Sequence, residues 1–321
     1  MKTSYNLKHI LSGNRVALAK AITLVESKNT SDRVLTQKLI EEILPHANKS
    51  IRVGISGSPG VGKSTFIEAL GLYLINKGKK IAVLAVDPSS PITGGSIMGD
   101  KTRMEELARH PNAFIRPSPS SGTLGGVAQK SRETILLCEA SGHEIILVET
   151  VGVGQNEIEV SNMVDFFLVL MLPNAGDELQ GIKKGIIELA DALLINKSDG
   201  ESISIAQKTQ IQYESAIKLL KPHGFWTQQT MTCSALEKKN IKSAWDMIEN
   251  YEKLSKENMA FYKKRQKQNK EWMWSLIREL LDLRLKNHPD VRSLWPKLEE
   301  AVFRGEKTPQ SAAVEIMEKF F

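Results

Sequence analysis

The sequence has few cysteines and no long apolar run. Its 321 residues include two cysteines, Cys138 and Cys233, which lie far apart and form no CxxC pair. This spacing argues against both a disulfide framework and a zinc knuckle. The most apolar run, residues 164–172, is far too short to span a bilayer. Residues 1–15 lack the apolar centre of a signal peptide, so we expect a cytoplasmic protein with no membrane association.

The sequence also lacks the marks of a nucleic-acid-binding protein and of a metal site built from clustered histidines or cysteines. Its net charge of +6 is mild for the length, and no DNA- or RNA-binding motif accompanies it. We therefore expect no nucleic-acid partner. The six histidines are scattered without ligand spacing. Function must therefore be sought in local motifs.

Three zones follow one another along the chain. Apolar residues recur at helical spacing in residues 1–48 and again in residues 251–321. Between them, residues 49–250 alternate short apolar runs with helical stretches, which favours a parallel sheet covered on both faces. The predicted strands are residues 51–56, 80–86, 145–149, 166–172 and 192–196, with one more before Cys233.

A glycine-rich segment follows the first predicted strand and fits the pattern G-x-x-x-x-G-K-[ST]. It consists of Gly57, Ser58, Pro59, Gly60, Val61, Gly62, Lys63, Ser64 and Thr65. In this context backbone amides surround phosphate groups, and the following helix presents its positive N-terminal end. Lys63 places a cation on the terminal phosphates, and the Ser64 hydroxyl can ligate Mg²⁺. The sequence therefore predicts an α/β P-loop NTPase whose mostly parallel, doubly wound sheet is flanked by N-terminal and C-terminal helical extensions.

Three carboxylates are candidates for the metal side of this site. Glu149 ends the third predicted strand, where P-loop proteins carry the Walker B carboxylate. Asp87 follows the second predicted strand, and Asp100 lies further along the same loop. Mg²⁺ prefers such oxygen ligands. Glu149 can also polarise an attacking water, and the Gly152 amide can contact the γ-phosphate. A strand-end charge or a turn cap is the structural alternative for each carboxylate.

A second motif, N-K-x-D, indicates which base is bound. The base-reading residues are Asn196, Lys197 and Asp199, with Ser234, Ala235 and Leu236 in a later loop. The Asp199 carboxylate only accepts hydrogen bonds, which suits the adjacent imino and amino donors of guanine but not adenine. The stem of Lys197 can lie over the base plane. The later loop resembles the S-A-[LK] segment whose amide contacts the guanine oxygen, so GTP and GDP are the expected nucleotides.

Three long segments of the sequence resemble one GTPase family. They are residues 86–104, 116–126 and 149–155, and residues 17–27 are also similar. Together they make the chain resemble the MeaB/ArgK-type GTPases, which include the mitochondrial methylmalonic aciduria type A protein. The resemblance covers nearly the whole chain, although the C-terminal helices match only by position and helical character.

This resemblance implies a function beyond nucleotide binding. Members of the family hydrolyse GTP slowly alone and faster with an adenosylcobalamin-dependent acyl-CoA mutase, chiefly methylmalonyl-CoA mutase. Their GTPase cycle gates cofactor delivery and protects the mutase. Residues 174–185 correspond to a family switch, in which Asp177 and Lys183 would act in catalysis once the partner orders the loop.

The C-terminal zone resembles the family's dimerisation arm, which implies a homodimer. Trp272, Trp274 and Trp295 would supply apolar area for an arm with little core of its own. Folding of these helices back onto the GTPase core is the alternative. A basic stretch at residues 263–270 precedes the apolar face of the arm, and we interpret it as a solvated helix face.

Two other functions stay open at this point. A related class of GTPases inserts a metal such as nickel into a partner enzyme, commonly through cysteine or histidine ligands near the nucleotide. A non-catalytic scaffold would bind GTP without hydrolysing it. A metal-binding titration tests the first and single-turnover hydrolysis the second. The partner is likewise open among methylmalonyl-, isobutyryl- and ethylmalonyl-CoA mutases.

Overall fold

A parallel sheet forms the centre of the molecule. The computed structural model describes residues 5–27, 29–86, 104–117, 124–150, 156–173, 184–218 and 224–320. Within these residues the strands are β1 (Ile51–Gly57), β2 (Ile81–Val86), β3 (Ala113–Arg116), β4 (Ile145–Thr150), β5 (Phe166–Met171), β6 (Ala192–Ile195) and β7 (Gln229–Thr232). Their order is β3-β2-β4-β1-β5-β6-β7, and every neighbouring pair is parallel. The predicted fold class is therefore confirmed.

Strands predicted from apolar runs agree with the structure, whereas one short strand was not predicted. β1, β2, β4, β5 and β6 each begin and end within one residue of the prediction, and β7 precedes Cys233 as expected. The unpredicted strand is β3, which has four residues at the edge of the sheet, of which only Ala113 and Phe114 are buried. A strand this short and half-exposed has no apolar run that sequence periodicity could detect.

Helices cover both faces of the sheet and continue at both ends of the chain. They are α1 (Leu7–Leu11), α2 (Arg15–Glu26), α3 (Thr30–Ile43), α4 (Lys63–Asn76), α5 (Glu105–Arg109), α6 (Leu124–Ala140), α7 (Asn156–Ser161), α8 (Lys184–Leu189), α9 (Ile203–Ile217), α10 (Ile241–Glu257), α11 (Ala260–Asn287), α12 (Pro289–Phe303) and α13 (Pro309–Phe320). α4 and α10 pack on one face. α6 packs on the other face, and α2 and α3 pack against α6.

The burial of apolar side chains explains this arrangement. Phe66, Leu70 and Leu74 recur every four residues on α4 and are fully buried against the sheet. Each such side chain contributes about 1.5–3 kcal/mol to folding. β2, β3 and β4 lie on one side of β1, and β5, β6 and β7 lie on the other, so the strand order reverses at β1. In doubly wound folds this change opens a ligand crevice at the carboxyl ends of the strands.

The chain forms two compact units, residues 1–268 and residues 269–321. The first unit includes the first two turns of α11, and these residues correct one interpretation of the sequence. Arg265 is buried rather than solvated, because its guanidinium makes two hydrogen bonds of 2.8 and 2.7 Å to the Asp165 carboxylate. Lys264 donates to the Asp165 carbonyl at 2.6 Å. Lys264 and Arg265, which the sequence predicted to be solvated, therefore anchor the start of α11 to Asp165.

The second unit has a small core of its own. Val291 and Leu298 on α12 and Ala312 on α13 are buried, and the His288 ring meets the Phe320 ring edge-on. Many larger apolar side chains of this unit are exposed instead, namely Met273, Trp274, Leu280, Leu281, Phe303, Val314 and Met317. No helix in the described part of the chain is long and apolar enough to cross a bilayer.

Candidate functional site

The predicted phosphate loop connects β1 to α4 at the carboxyl edge of the sheet. β1 ends at Gly57 and α4 begins at Lys63, so the motif has the strand–loop–helix context that it requires. Gly62 has φ +96°, and a Cβ there would lie 2.6 Å from Asn196 Nδ2. A Cβ on Gly57, φ +149°, would lie 2.5 Å from the Leu170 carbonyl oxygen. Both backbone conformation and close packing therefore demand glycine at these positions.

The Lys63 side chain lies against the phosphate loop. Its ammonium donates hydrogen bonds of 2.8 Å to the Gly57 carbonyl and 3.2 Å to the Ser58 carbonyl, and only 9% of the residue is exposed. The hydrogen bonds hold the cation over the loop, where amides and the α4 N-terminus also attract anions. Of the other motif residues, Pro59 and Gly60 lie in the turn, Val61 is fully buried, and Thr65 lies in the first turn of α4.

Ser64 and Glu149 meet at the start of α4. Ser64 Oγ donates to Glu149 Oε1 at 3.1 Å, and Glu149 is 5% exposed near the end of β4. Adjacent ligands of an octahedral Mg²⁺ at about 2.0–2.1 Å lie about 2.9 Å apart, close to this oxygen separation. The two oxygen donors therefore fit Mg²⁺. Behind them, Thr150 Oγ1 donates to Ser56 Oγ at 3.0 Å, a buried contact that the sequence does not predict.

Asn196 joins the phosphate loop to the base-reading loop. It is 2% exposed, and its Nδ2 donates to the Val61 carbonyl at 2.8 Å. Its Oδ1 accepts hydrogen bonds from the Ala235 amide at 3.0 Å and from Cys233 Sγ at 3.3 Å. Burial and the nearby Asp199 charge raise the pKa of Cys233 to about 12, so the thiol keeps its proton and donates. The role of Cys233 was not predicted, and its position before the Ser-Ala-Leu loop was the available signal.

Asp199 is held at the edge of the same loop. The buried Ser234 hydroxyl donates to its carboxylate, and the Glu237 amide donates to Ser234 Oγ at 3.0 Å. Lys197 is exposed and has φ +58°, whereas Leu236 is 77% exposed. The carboxylate is thus fixed from the protein side, which leaves acceptor capacity for a base with adjacent N–H donors.

Several predicted site residues lie outside the described residues. They are Asp87, Asp100, Gly152, Asp177 and Lys183. The structure brings the remaining candidates together at one edge of the sheet, from the P-loop through Glu149 to the base-reading motif. Within the residues that the structure describes, no group of three or more His, Cys, Asp or Glu side chains is placed to hold a metal ion.

Comparison with protein families identifies the chain. The family model for the methylmalonyl-CoA mutase-associated GTPase MeaB matches residues 18–290. The chain belongs to this family. It is 48% identical over 269 residues to the GTPase ArgK of Escherichia coli, with 84% of this chain and 81% of that protein covered. It is 46% identical to the mitochondrial methylmalonic aciduria type A homologue of Mus musculus, with coverage of 97% and 78%.

The MeaB-family fold is also present in a solved structure. A crystal structure of a LAO/AO transport system kinase has a TM-score of 0.78 and 37% sequence identity to this chain. The comparison covers 97% of this chain and 95% of the other. A putative GTPase of Caulobacter vibrioides is 47% identical, with coverage of 98% and 97%. The predicted family resemblance is therefore confirmed, and the chain is a member of a GTPase family.

Proposed function

We propose that this protein is a magnesium-dependent GTPase that acts as a chaperone for an adenosylcobalamin-dependent acyl-CoA mutase. Methylmalonyl-CoA mutase is the partner that we propose first. The family match over residues 18–290 carries this proposal, because that family is described by its association with this mutase. The GTPase cycle would gate cofactor delivery to the mutase and protect it from inactivation. The proposed location is the cytoplasm.

Selection of guanine and attack at phosphate would use separate parts of the site. The Asp199 carboxylate, held by Ser234, accepts from guanine, while Asn196 ties this loop to Val61 in the phosphate loop. Lys63 would move its ammonium from loop carbonyls onto the phosphates and stabilise the charge that develops on the transferred group. Binding of the base and geometry at the phosphates are therefore linked through one buried amide.

Mg²⁺ fits the oxygen donors near the start of α4. Ser64 and Glu149 would hold the ion, and the proposal adds Asp87 and Asp100, which lie outside the described residues. When bound, the ion neutralises charge on the phosphate oxygens. Glu149, buried at the end of β4, would in addition orient or polarise the attacking water. The Gly152 amide would contact the γ-phosphate.

The mutase would accelerate hydrolysis through residues 174–185. In this proposal the free protein hydrolyses GTP slowly because Asp177 and Lys183 act only in the complex with the mutase. Binding of the mutase would bring the Lys183 cation to the negative charge that develops on the transferred phosphoryl group. The same mechanism explains why loss of Lys183 should affect stimulated hydrolysis and leave GTP affinity nearly intact.

GTP turnover with and without purified mutase tests this function. We expect methylmalonyl-CoA mutase to raise the turnover of the parent protein, and Lys183→Ala to abolish that increase. Lys208→Ala, at an exposed lysine on α9, is the matched control and should respond as the parent does. A parent protein that binds the mutase without acceleration would contradict the switch mechanism. Failure to bind any of the three candidate mutases would contradict the chaperone function itself.

A further inference from the structure

Two buried hydroxyl groups join β1 to β4 next to the phosphate loop. Thr150 Oγ1 donates to Ser56 Oγ at 3.0 Å, and both residues are 0% exposed. We call these two residues the hydroxyl pair. Ser56 directly precedes Gly57, where the phosphate loop begins, and Thr150 directly follows Glu149. The hydroxyl pair therefore lies where the two strands deliver the phosphate loop and the Glu149 carboxylate.

The flanking positions in the sheet are apolar. In the parallel register Thr150 lies beside Val86 of β2, and Ser56 lies beside Val169 of β5. These two valines are 2% and 1% exposed. Two polar side chains thus occupy the centre of a buried row that has valine on either side.

Stability alone does not account for the hydroxyl pair. A hydrogen bond between two buried hydroxyls roughly offsets the cost of removing them from water, so apolar side chains of the same shape would be about equally stable. Alanine has nearly the shape of Ser56, and valine has nearly the shape of Thr150. A hydrogen bond differs from such an apolar contact because it fixes the distance and direction between two atoms. The hydroxyl pair therefore has a geometric use.

The end of β1 is held differently on its two sides. On the β5 side, the backbone register continues to Gly57, which lies beside Leu170. On the β4 side, the register runs to Ile55 and Glu149, and the hydroxyl pair follows directly after them. The hydroxyl pair thus gives the β4 side of the strand end the connection that the backbone gives the β5 side.

The two oxygen donors that fit Mg²⁺ depend on the separation of these strand ends. Glu149 is carried by β4, whereas Ser64 is reached from β1 through the phosphate loop, and their oxygens lie 3.1 Å apart. Mg²⁺ demands near-ideal octahedral positions, so a small shift between the ends of β1 and β4 would spoil this spacing. Groups that orient metal ligands from behind typically change metal affinity or activity about 10- to 100-fold when they are removed.

We propose that Ser56 and Thr150 are positioning residues for GTP hydrolysis, an inference that rests on the proposed magnesium-dependent GTPase function. The hydroxyl pair holds the ends of β1 and β4 at the separation at which Ser64 and Glu149 can share one Mg²⁺. It acts through these two residues and through the phosphate loop.

The place of the hydroxyl pair in the sheet predicts which step depends on it. The base-reading residues Asn196 and Asp199 follow β6, on the other side of β1 from β4. Binding of a guanine nucleotide without metal should therefore not require the hydroxyl pair. Binding of Mg²⁺ and turnover of GTP should require it.

Removal of both hydroxyls tests the inference. Ser56→Ala with Thr150→Val leaves neither hydroxyl buried without its partner, so the urea midpoint should stay within about 0.3 M of the parent. We expect kcat for GTP hydrolysis without mutase to fall about tenfold, and Mg²⁺ to bind about tenfold more weakly to the complex with a fluorescent GDP analogue. The affinity for that analogue in EDTA should stay within about twofold of the parent.

Thr150→Ser should give the opposite pattern. It keeps the hydroxyl but loses a buried methyl group, so the urea midpoint should fall by about 0.3–0.5 M while kcat stays within about twofold of the parent. The matched control is Thr230→Val on β7, the same chemical change at a hydroxyl that is buried without a hydrogen-bond partner in the described part of the chain. Its kcat and urea midpoint should match the parent.

Several results would overturn the inference while the proposed function stands. One is a double variant that keeps the kcat and Mg²⁺ affinity of the parent, and another is a double variant with a much lower urea midpoint, since the hydroxyl pair would then serve stability. Equal losses of rate in Thr150→Ser or in Thr230→Val would do the same, as would equal weakening of the GDP analogue in EDTA. A parent that does not hydrolyse GTP with Mg²⁺ removes both proposals.

Discussion

Asp199 and Asn196 lie three residues apart and have different roles in the nucleotide site. Asp199 is partly exposed, and its carboxylate accepts a hydrogen bond from the Ser234 hydroxyl. Asn196 is buried and uses its hydrogen-bonding capacity inside the protein, on Val61, Ala235 and Cys233. In the proposed function Asp199 selects the base, while Asn196 holds the phosphate loop and the base-reading loop together.

Exchange of the base-reading carboxylate should change which nucleotide binds. In Asp199→Asn, the amide offers a donor where the carboxylate offered only acceptors, so the amino group of guanine loses its partner. We expect GTP affinity to fall about 10- to 100-fold or more, and xanthosine triphosphate to bind instead because a carbonyl replaces its amino group. Fluorescence titration with both nucleotides measures the change.

The control for this exchange is Asp246→Asn, the same chemical change at a partly exposed residue of α10 that pairs with Lys242 at 2.6 Å. It should leave the preference for GTP over xanthosine triphosphate as in the parent. Equal binding of ATP and GTP by the parent protein would contradict the assignment of Asp199 as the base-reading residue.

At the scale of elements, the sequence predicts what depends on local pattern and misses what depends on tertiary partners. The motif from Gly57 to Ser64 predicts the phosphate loop, since glycine conformation and helix start are encoded locally. The contact between Arg265 and Asp165 could not be predicted from the sequence. Arg265 is one basic residue in a basic stretch, and its partner Asp165 lies 100 positions away, so only folding brings them together. β3 was not predicted because its four residues, two buried and two partly exposed, form too short a run to show periodicity.

Removal of the anchoring carboxylate should destabilise the protein. Asp165 is 1% exposed and accepts hydrogen bonds from Arg265 and from the Arg52 amide at 2.8 Å. Burial alone would lower the pKa of Arg265, but Asp165 more than compensates and raises it, so the guanidinium stays charged. Asp165→Asn gives that buried charge a neutral hydrogen-bond partner, and its remaining carboxylate, Glu139, lies 3.9 Å away. We expect a loss of about 3–5 kcal/mol in the free energy of unfolding, measured with urea.

Glu252→Gln provides the comparison for this loss. Glu252 pairs with Lys256 one turn away on α10, and both side chains are partly exposed. Such a pair contributes about 0–1 kcal/mol, so its removal should barely change the urea midpoint. If Asp165→Asn were equally harmless, the buried network would not hold the first turns of α11 in place.

At the scale of the whole molecule, we propose that residues 269–321 carry the homodimer contact. Trp274 and Leu281 are seven residues apart on α11, which puts them on one helix face, and they are 49% and 54% exposed. Large apolar side chains of this kind are covered by symmetric pairing in most homo-oligomers. A chain truncated near residue 255 would also lose the buried contact of Arg265 with Asp165. Point substitutions are therefore the cleaner test of the dimer contact.

Charge placed on this face should separate the subunits. Trp274→Glu with Leu281→Glu would bury two carboxylates in an apolar contact, a cost of several kcal/mol that the dimer can avoid only by dissociating. Light scattering should report the monomer mass for this variant and the dimer mass for the parent. The control is Val34→Glu with Ile211→Glu, where large apolar side chains, 77% and 63% exposed, lie in the first unit. If the Trp274 variant keeps the dimer mass while the control loses it, the contact lies on the first unit and residues 269–321 have another role.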